Sequence, residues 1–185
     1  MTPDISVHQL ITLDAPQHLH ELSEVLLDCV EGGASVNFMA GLSMARALAF
    51  WQQVAQQVQS GERALLVAKD GAGHIIGTVQ LALSQPDNQP HRADLNKLLV
   101  HRRARQQGVG EALMRAAEDL ASAQGKTLLV LDTASDAAER LYLRTGWLLC
   151  GHIPGFALMP DGSPTGTTIL YKSLASDVKI SAPGL

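Results

Sequence analysis

The stretch from Val100 to Gln124, VHRRARQQGVGEALMRAAEDLASAQ, constrains this chain more than any other. It runs from an apolar strand into a basic turn with two glycines and then into a helix. A helix that opens on Gly108-Val109-Gly110 presents amides with no intrahelical partner, and the missing side chains let an anion approach the backbone. Arg102, Arg103 and Arg105 add positive charge, which suits the pyrophosphate or 3′-phosphate of a nucleotide carrier. Two other phosphate loops fail here. Gly110 is followed by Glu111-Ala112 rather than Lys-Ser/Thr, and Leu113 stands where a dinucleotide turn needs a third small residue.

Composition narrows the partners. A chain of 185 residues that is 46% hydrophobic can bury one good core, and no linker-like run divides it, so one domain over 1–174 with a loose tail at 175–185 is expected. The formal charge of −4 argues against a nucleic-acid surface, because the one basic cluster is already assigned to the turn. Cys29 and Cys150 form no disulfide framework and read as small buried apolar residues in a reducing compartment. The opening MTPDISVHQL lacks the basic flank and apolar centre of an export signal, and no stretch reaches membrane-spanning length. The expectation is a cytoplasmic protein, monomer or homodimer, without membrane or nucleic-acid partners. The seven histidines make no helical i, i+4 pair and no Cys/His cluster, so no metal is expected.

Periodicity orders the rest. Ile5 to Leu13 reads as a strand. Asp14 is a candidate N-cap with Pro16 just inside a helix that stops at Gly32-Gly33, and a second helix is expected from Ser43 to Ser60. The stretch Glu31 to Met39 between them is apolar and glycine-bearing; it either lines a pocket or packs as an inter-helix connection. Arg63–Lys69 and His74–Leu83 flank Asp70-Gly71-Ala72-Gly73, a hairpin signal. Arg92 to Val100 is a fourth strand with polar residues on both faces: Asp94, Asn96, Leu98 and Val100 on one, Leu95, Lys97 and Leu99 on the other. Such a strand borders a site or carries a bulge. After the Gly108–Gln124 helix, Thr127–Leu131 is an apolar strand, completing a right-handed parallel βαβ unit. A short helix then ends at Gly146, and Trp147–His152 and Thr167–Lys172 form the last strands, joined by a long Pro/Gly-rich loop from Pro154 to Gly166.

The pattern Arg/Gln-x-x-Gly-x-Gly/Ala after a strand ending in Val resembles the acetyl-CoA signature of the GNAT acetyltransferase superfamily, and the order of elements is similar to that fold over nearly the whole chain. The resemblance implies an α/β (α+β) fold: a mixed, mostly antiparallel sheet of about seven strands, flanked by about four helices and splayed between strands four and five. Dispersed matches, Gly32-Gly33-Ala34-Ser35-Val36 with Phe38-Met39, Lys97-Leu98-x-Val100, Leu131-Asp132-Thr133, Pro154-Gly155 and Pro160-Asp161-Gly162, resemble the tabtoxin-resistance group within it. On the same footing, Leu98, Leu99 and Val100 would bond the pantetheine arm of acetyl-CoA. Arg105, Gln106, Gly108, Val109, Gly110 and Glu111 would hold its pyrophosphate through main-chain amides. Ser135, where many members carry Asn, and Ala138 would meet the cofactor from the following helix.

Acyl transfer to an amine needs a proton acceptor for the ammonium, a donor for the carbonyl oxygen as it gains charge, and a proton for the departing thiolate. Asp132 at the mouth of the opening is the candidate base or orienting carboxylate, and Tyr142 the candidate acid; the resemblance implies the same pair. Asp132 could instead cap the next helix, and Asp94 is the competing base. A backbone amide near Leu99 would stabilise the oxyanion. Gly33, Ser35, Val36, Phe38, Met39, Asp94, Pro154 and Gly155 are the expected substrate wall, closing over a small amine. A peptide-modifying acetyltransferase, or a module that binds acetyl-CoA without turnover, are the competing readings.

Overall fold

The computed structural model describes residues 4–174, so the expected tail at 175–185 lies outside the described residues. The chain runs β1 (Ser6–Leu10), α1 (Pro16–Glu31), α2 (Met44–Gln59), β2 (Arg63–Lys69), β3 (Ile75–Ala82), β4 (Arg92–Val100), a 3-10 turn (Arg102–Ala104), α3 (Val109–Ala123), β5 (Leu128–Thr133), α4 (Asp136–Arg144), β6 (Leu148–Leu158) and β7 (Pro164–Ser173). The strands form one sheet in the order β1-β2-β3-β4-β5-β7-β6, with β4 and β5 parallel and the other neighbours antiparallel. This is the mixed seven-stranded sheet with four helices that the element order implied.

Two apolar layers hold the sheet. On one face α3 packs Val109, Leu113, Met114, Ala117 and Ala121 onto Leu66, Val79, Ala93, Leu95, Leu129 and Leu131. On the other, α1 and α2 bring Leu22, Leu26, Cys29, Trp51 and Val54 onto Leu65, Val67, Ile75 and Leu99. Both layers keep apolar surface from water, the main favourable term in folding. The second layer rests on β2, β3 and the end of β4, so the same face over Asp94, Asn96, Val130 and Asp132 opens into a hollow.

Strand β4 switches faces partway. Ala93 and Leu95 belong to the α3 layer, but Leu99 belongs to the α1/α2 layer. The register explains this: Thr78 faces Leu99 and Gln80 faces Asn96, so β4 spends three steps where β3 spends two. The extra residue is Lys97, in the left-handed region at φ 52, and an inserted residue turns every later side chain over. Strict alternation through β4, expected from the sequence, is thus corrected: Leu98 and Val100 join the α3 layer and Leu99 leaves it. β4 also parts from β5 early, pairing only at Arg92–Leu128, Ala93–Leu129 and Asp94–Val130.

Other boundaries move. β1 is shorter than expected, and Ala15 rather than Asp14 precedes α1, with no side-chain cap and Pro16 at its start. The long loop from Pro154 to Gly166 is largely strand: β6 and β7 run on to a tight turn closed by Met159 N–H to Ser163 O at 2.8 Å. A register shift between Ile153 and Ala157, with Gly155 at φ 65, lets β6 pass Pro154 without losing β7. Cys29 is buried as expected, but Cys150 on edge strand β6 is exposed.

Gly77 fixes how closely α3 approaches. A Cβ there would stand 3.0 Å from the Leu99 carbonyl oxygen and 3.1 Å from methyl groups of Leu113 and Val109. Gly77→Ala should therefore destabilise by about 1–3 kcal/mol, read as a lower Tm in thermal unfolding. An unchanged Tm would mean that α3 can lift from the sheet without cost.

Candidate functional site

The turn before α3 is built by backbone conformation. Gln106 and Gly108 are left-handed at φ 61 and φ 84, and the first bond of the helix is Ala112 N–H to Gly108 O at 3.0 Å. The amides from Gln106 to Glu111 have no acceptor among the described residues and converge at a helix N-terminus, an anion cradle. The two glycines have different tasks. Gly108 supplies the left-handed φ with nothing within 4 Å of its Cβ position, whereas the place of a Gly110 side chain is taken by Leu141 of α4, 3.1 Å away. The absence of a side chain at Gly110 therefore also lets Leu141 of α4 approach α3.

The arginines also differ from the sequence reading. Arg102 turns inward: its Nε donates to Asp28 Oδ1 at 2.9 Å, its amide to Asp28 Oδ2 at 2.7 Å, and its Nη2 to Glu31 at 3.4 Å. Arg103 lies 4.0 Å from Asp70. Arg105 donates through Nε to the Val100 carbonyl at 3.2 Å. Two of the three charges are answered by carboxylates, so the anion capacity of the turn rests on its amides and Arg105. Burial pushes the Asp28 carboxyl up, but the Arg102 amide and guanidinium with His101 outweigh it and hold the group below the ordinary carboxylate range.

Past Asp94, the β5-facing edge of β4 is released from pairing, leaving Leu98 and Leu99 backbone beside an open wedge. The Val100 carbonyl is already taken by Arg105 and, at 3.5 Å, by the Cys29 thiol. On the α1/α2 face, beyond the reach of those helices, the wedge widens into a hollow of about 280 Å³ lined by Arg92, Asp94, Asn96, Asp132, Phe156 and Thr167 among others. Asp132 is exposed within β5, which extends to Thr133, and its Oδ2 accepts from Thr167 Oγ1 at 2.8 Å. It caps nothing. The cap of α4 is Ser135, whose hydroxyl accepts from the Ala138 amide at 3.3 Å and keeps its own O–H free to donate. Asp94 is held by Gln85 at 3.2 Å and Arg92 at 3.5 Å.

Tyr142 sits on α4 in the α3 layer, 5% exposed, tilted against Trp147 with centroids 5.9 Å apart. Burial, with the Asp132 charge acting the same way, holds its hydroxyl proton well above the ordinary phenol range. The joint behind it is pinned by Glu118 of α3, which accepts from Trp147 Nε1 at 2.9 Å and Lys172 Nζ at 2.7 Å; that ammonium also reaches the Thr145 carbonyl at 2.7 Å.

The α1–α2 connection meets the β6–β7 turn through Ala40 N–H to Pro160 O at 2.9 Å and Ser35 Oγ to Leu158 O at 3.2 Å. Between them lies a second hollow of about 270 Å³ lined by Leu27, Val30, Gly33, Leu42 and Met159 with Glu31 and Asp161. Of the expected wall, Gly33 lines it. Val36 and Phe38 pack on the α1/α2 layer, Phe38 edge-on to Phe50 at 5.3 Å, and Met39 is exposed. Pro154 and Gly155 lie in the β6 bulge and line neither hollow.

A parted β4–β5 pair beside an amide cradle is the arrangement the signature implied, and the sequence model of the acetyltransferase (GNAT) family matches residues 37–147. The chain belongs to the GNAT acetyltransferase family. Solved structures share the GNAT fold at low identity. A provisionally assigned acetyltransferase from Acinetobacter baylyi ADP1 is 16% identical, with a TM-score of 0.78 over 93% of each chain. Another provisional assignment, from Salmonella typhimurium and solved with its cofactor acetyl-CoA, is 17% identical, with a TM-score of 0.74 over 97% of this chain and 99% of that one. A third, provisionally named a phosphinothricin N-acetyltransferase, is 17% identical, with a TM-score of 0.74 over 94% of this chain and all of that one. As a GNAT acetyltransferase the protein uses acetyl-CoA as co-substrate. No described helix is long and apolar enough to cross a membrane.

Sequence reading missed Phe156 and Thr167, which line the hollow and were hidden in what read as a loop and its flanking strand. Lys97 entered that reading only as a strand position and within a motif match, and the polar residues on both faces of β4 were the signal for its bulge.

Because the Asp28 carboxyl titrates low, its contribution is full above the unfolded-state value and fades only as pH falls through the lower folded-state value. Asp28→Asn should cost about 1–3 kcal/mol in denaturant unfolding at neutral pH. The deficit should narrow only below about pH 4; closure already between about pH 7 and 5 would place the lost stability in another group.

Proposed function

We propose that this GNAT protein transfers acetyl from acetyl-CoA to the primary amine of a small molecule, by direct attack within a ternary complex. The observation that carries the reading is the wedge where β4 leaves β5 after three pairs, with the amide cradle at its mouth, Asp132 near the end of β5 and Tyr142 on the helix that follows. The Gln106–Glu111 amides and Arg105 bind the pyrophosphate, and the freed Leu98–Leu99 backbone aligns the pantetheine. Asp132 receives the acceptor's ammonium and takes its proton directly or through water. It is preferred over Asp94, whose charge Arg92 already answers through Oδ2. A main-chain amide near Leu99 donates to the carbonyl oxygen as charge develops there. Tyr142, protonated throughout the physiological range, donates to the departing thiolate sulfur.

A small acceptor is favoured over a peptide because the α1–α2 connection is tied across to the β6–β7 turn by two hydrogen bonds, which closes that side. The likeness to the tabtoxin-resistance group, and the fold shared with a protein provisionally named for phosphinothricin, support an antimetabolite or amino-acid-like amine. A cytoplasmic setting fits two cysteines that form no disulfide with each other.

Acetyl-CoA should raise the Tm of the wild type, and Gly108→Glu should remove that rise by placing a carboxylate at the cradle. A folded variant with the full rise would take the turn out of the site. Tyr142→Phe keeps the ring and removes the hydroxyl. It should lower kcat, measured by thiol release, by roughly 10²–10⁴, with a smaller change in acetyl-CoA binding. Wild-type turnover would leave Tyr142 as packing alone.

A further inference from the structure

Lys97 is the inserted residue of the β4 bulge, in a left-handed conformation that Gly or Asn would adopt more easily. The backbone thus gives no reason for a lysine. Its side chain is half-buried, and its ammonium has no hydrogen bond and no carboxylate within 4.0 Å among the described residues. Its neighbour Asn96 lines the hollow with Asp132, and Gln80, opposite Asn96 on β3, accepts from Arg63, so Lys97 stands at the border of that hollow beside Arg63. Burial and then the Arg63 charge push the amine below its ordinary value, with Asp132 opposing them. Arg63 is itself bound only to neutral partners, Gln57 at 2.8 Å and Gln80 at 2.7 Å. Asp94 is balanced by Arg92. Arg63 has the Glu62 charge acting on it, so among the described residues the cation left without a carboxylate is Lys97, while Asp132, which accepts only from the Thr167 hydroxyl, keeps its charge unanswered.

We infer that Lys97 is the specificity residue for the acceptor and takes a carboxylate on it, so that the acceptor is an amino-acid-like zwitterion with its ammonium at Asp132. This rests on the small-amine reading above. A simple amine would bring a third positive charge into the field of Lys97 and Arg63. A zwitterion adds no net charge and completes both unpaired groups, and charge-assisted hydrogen bonds in a half-desolvated cleft are the strong ones. Lys97 touches the part of the substrate remote from the reacting nitrogen. Its loss should therefore appear in KM more than in kcat.

The test compares each of a set of amino acids with its own carboxamide, by thiol release from acetyl-CoA, in the wild type, Lys97→Met and Lys97→Arg. The acetyl-CoA-induced rise in Tm in each variant reports an intact cofactor site. The wild type should prefer the free acid. Lys97→Met should raise KM for the acid by about ten- to a hundred-fold, with kcat within a few-fold and the carboxamide unaffected, and Lys97→Arg should recover most of the loss. Equal losses on acid and carboxamide, or a wild type that treats the two alike, would overturn the assignment while leaving amine acetylation standing. A wild type stabilised by acetyl-CoA that releases thiol with no amine would remove the acceptor reading and this inference together. Should Lys97→Met not fold, the contrast between Lys97→Arg and Lys97→Gln gives the same readout.

Discussion

The early parting of β4 from β5 is the constraint on which the rest depends. Parallel strands are normally paired along their length, and unpaired main-chain groups inside a protein carry a desolvation cost. Here pairing stops at Asp94–Val130. The remaining edge of β4 is tolerable because it faces a wedge that water or a ligand backbone can fill. The bulge at Lys97 lies just beyond the last pair and turns Leu99 into the α1/α2 layer, anchoring the far half of β4 to a different set of helices. One strand is thus held by two cores, and the site lies between its anchorages.

Charge is distributed to keep that geometry. The basic run after β4 reads as a phosphate patch, yet Arg102 serves as a strut from the turn to the end of α1 through Asp28 and Glu31. The same strut fixes the start of the α1–α2 connection, so the cofactor turn and one wall of the second hollow share a foundation. On the other side, Glu118 joins α3 to the end of α4 through Trp147 and Lys172, which sets the height of Tyr142 above β5. Asp28, Glu31 and Glu118 thus act as braces between elements.

Much of this was legible in the sequence, for identifiable reasons. The signature turn, the helix behind it and the Asp70–Gly73 hairpin are set by local rules, and Asp70 Oδ1 indeed accepts from the amides of Ala72 and His74. The element order then left few topologies. What escaped depends on distant partners. Pro154 and Gly155 look like loop residues, and only pairing with β7 across a bulge makes them strand. Asp132 has the composition of a cap, and only the nearness of Thr167 gives it another partner. The second task of Gly110, making room for Leu141, shows only once α4 is placed beside α3. The inserted residue in β4 is visible as misplaced polarity, but which residue is inserted is decided by β3.

The anion cradle has a consequence for how this chain can change over time. It is made of amide hydrogens, which every residue except proline supplies, and of two left-handed positions, Gln106 and Gly108. Side chains at Gln107, Val109 and Glu111 can be exchanged without altering the cradle's chemistry, provided none is proline and the apolar contact of Val109 is kept. Genetic drift can therefore rewrite most of the letters in such a turn while its array of amide donors persists, a robustness that sites made from side chains lack.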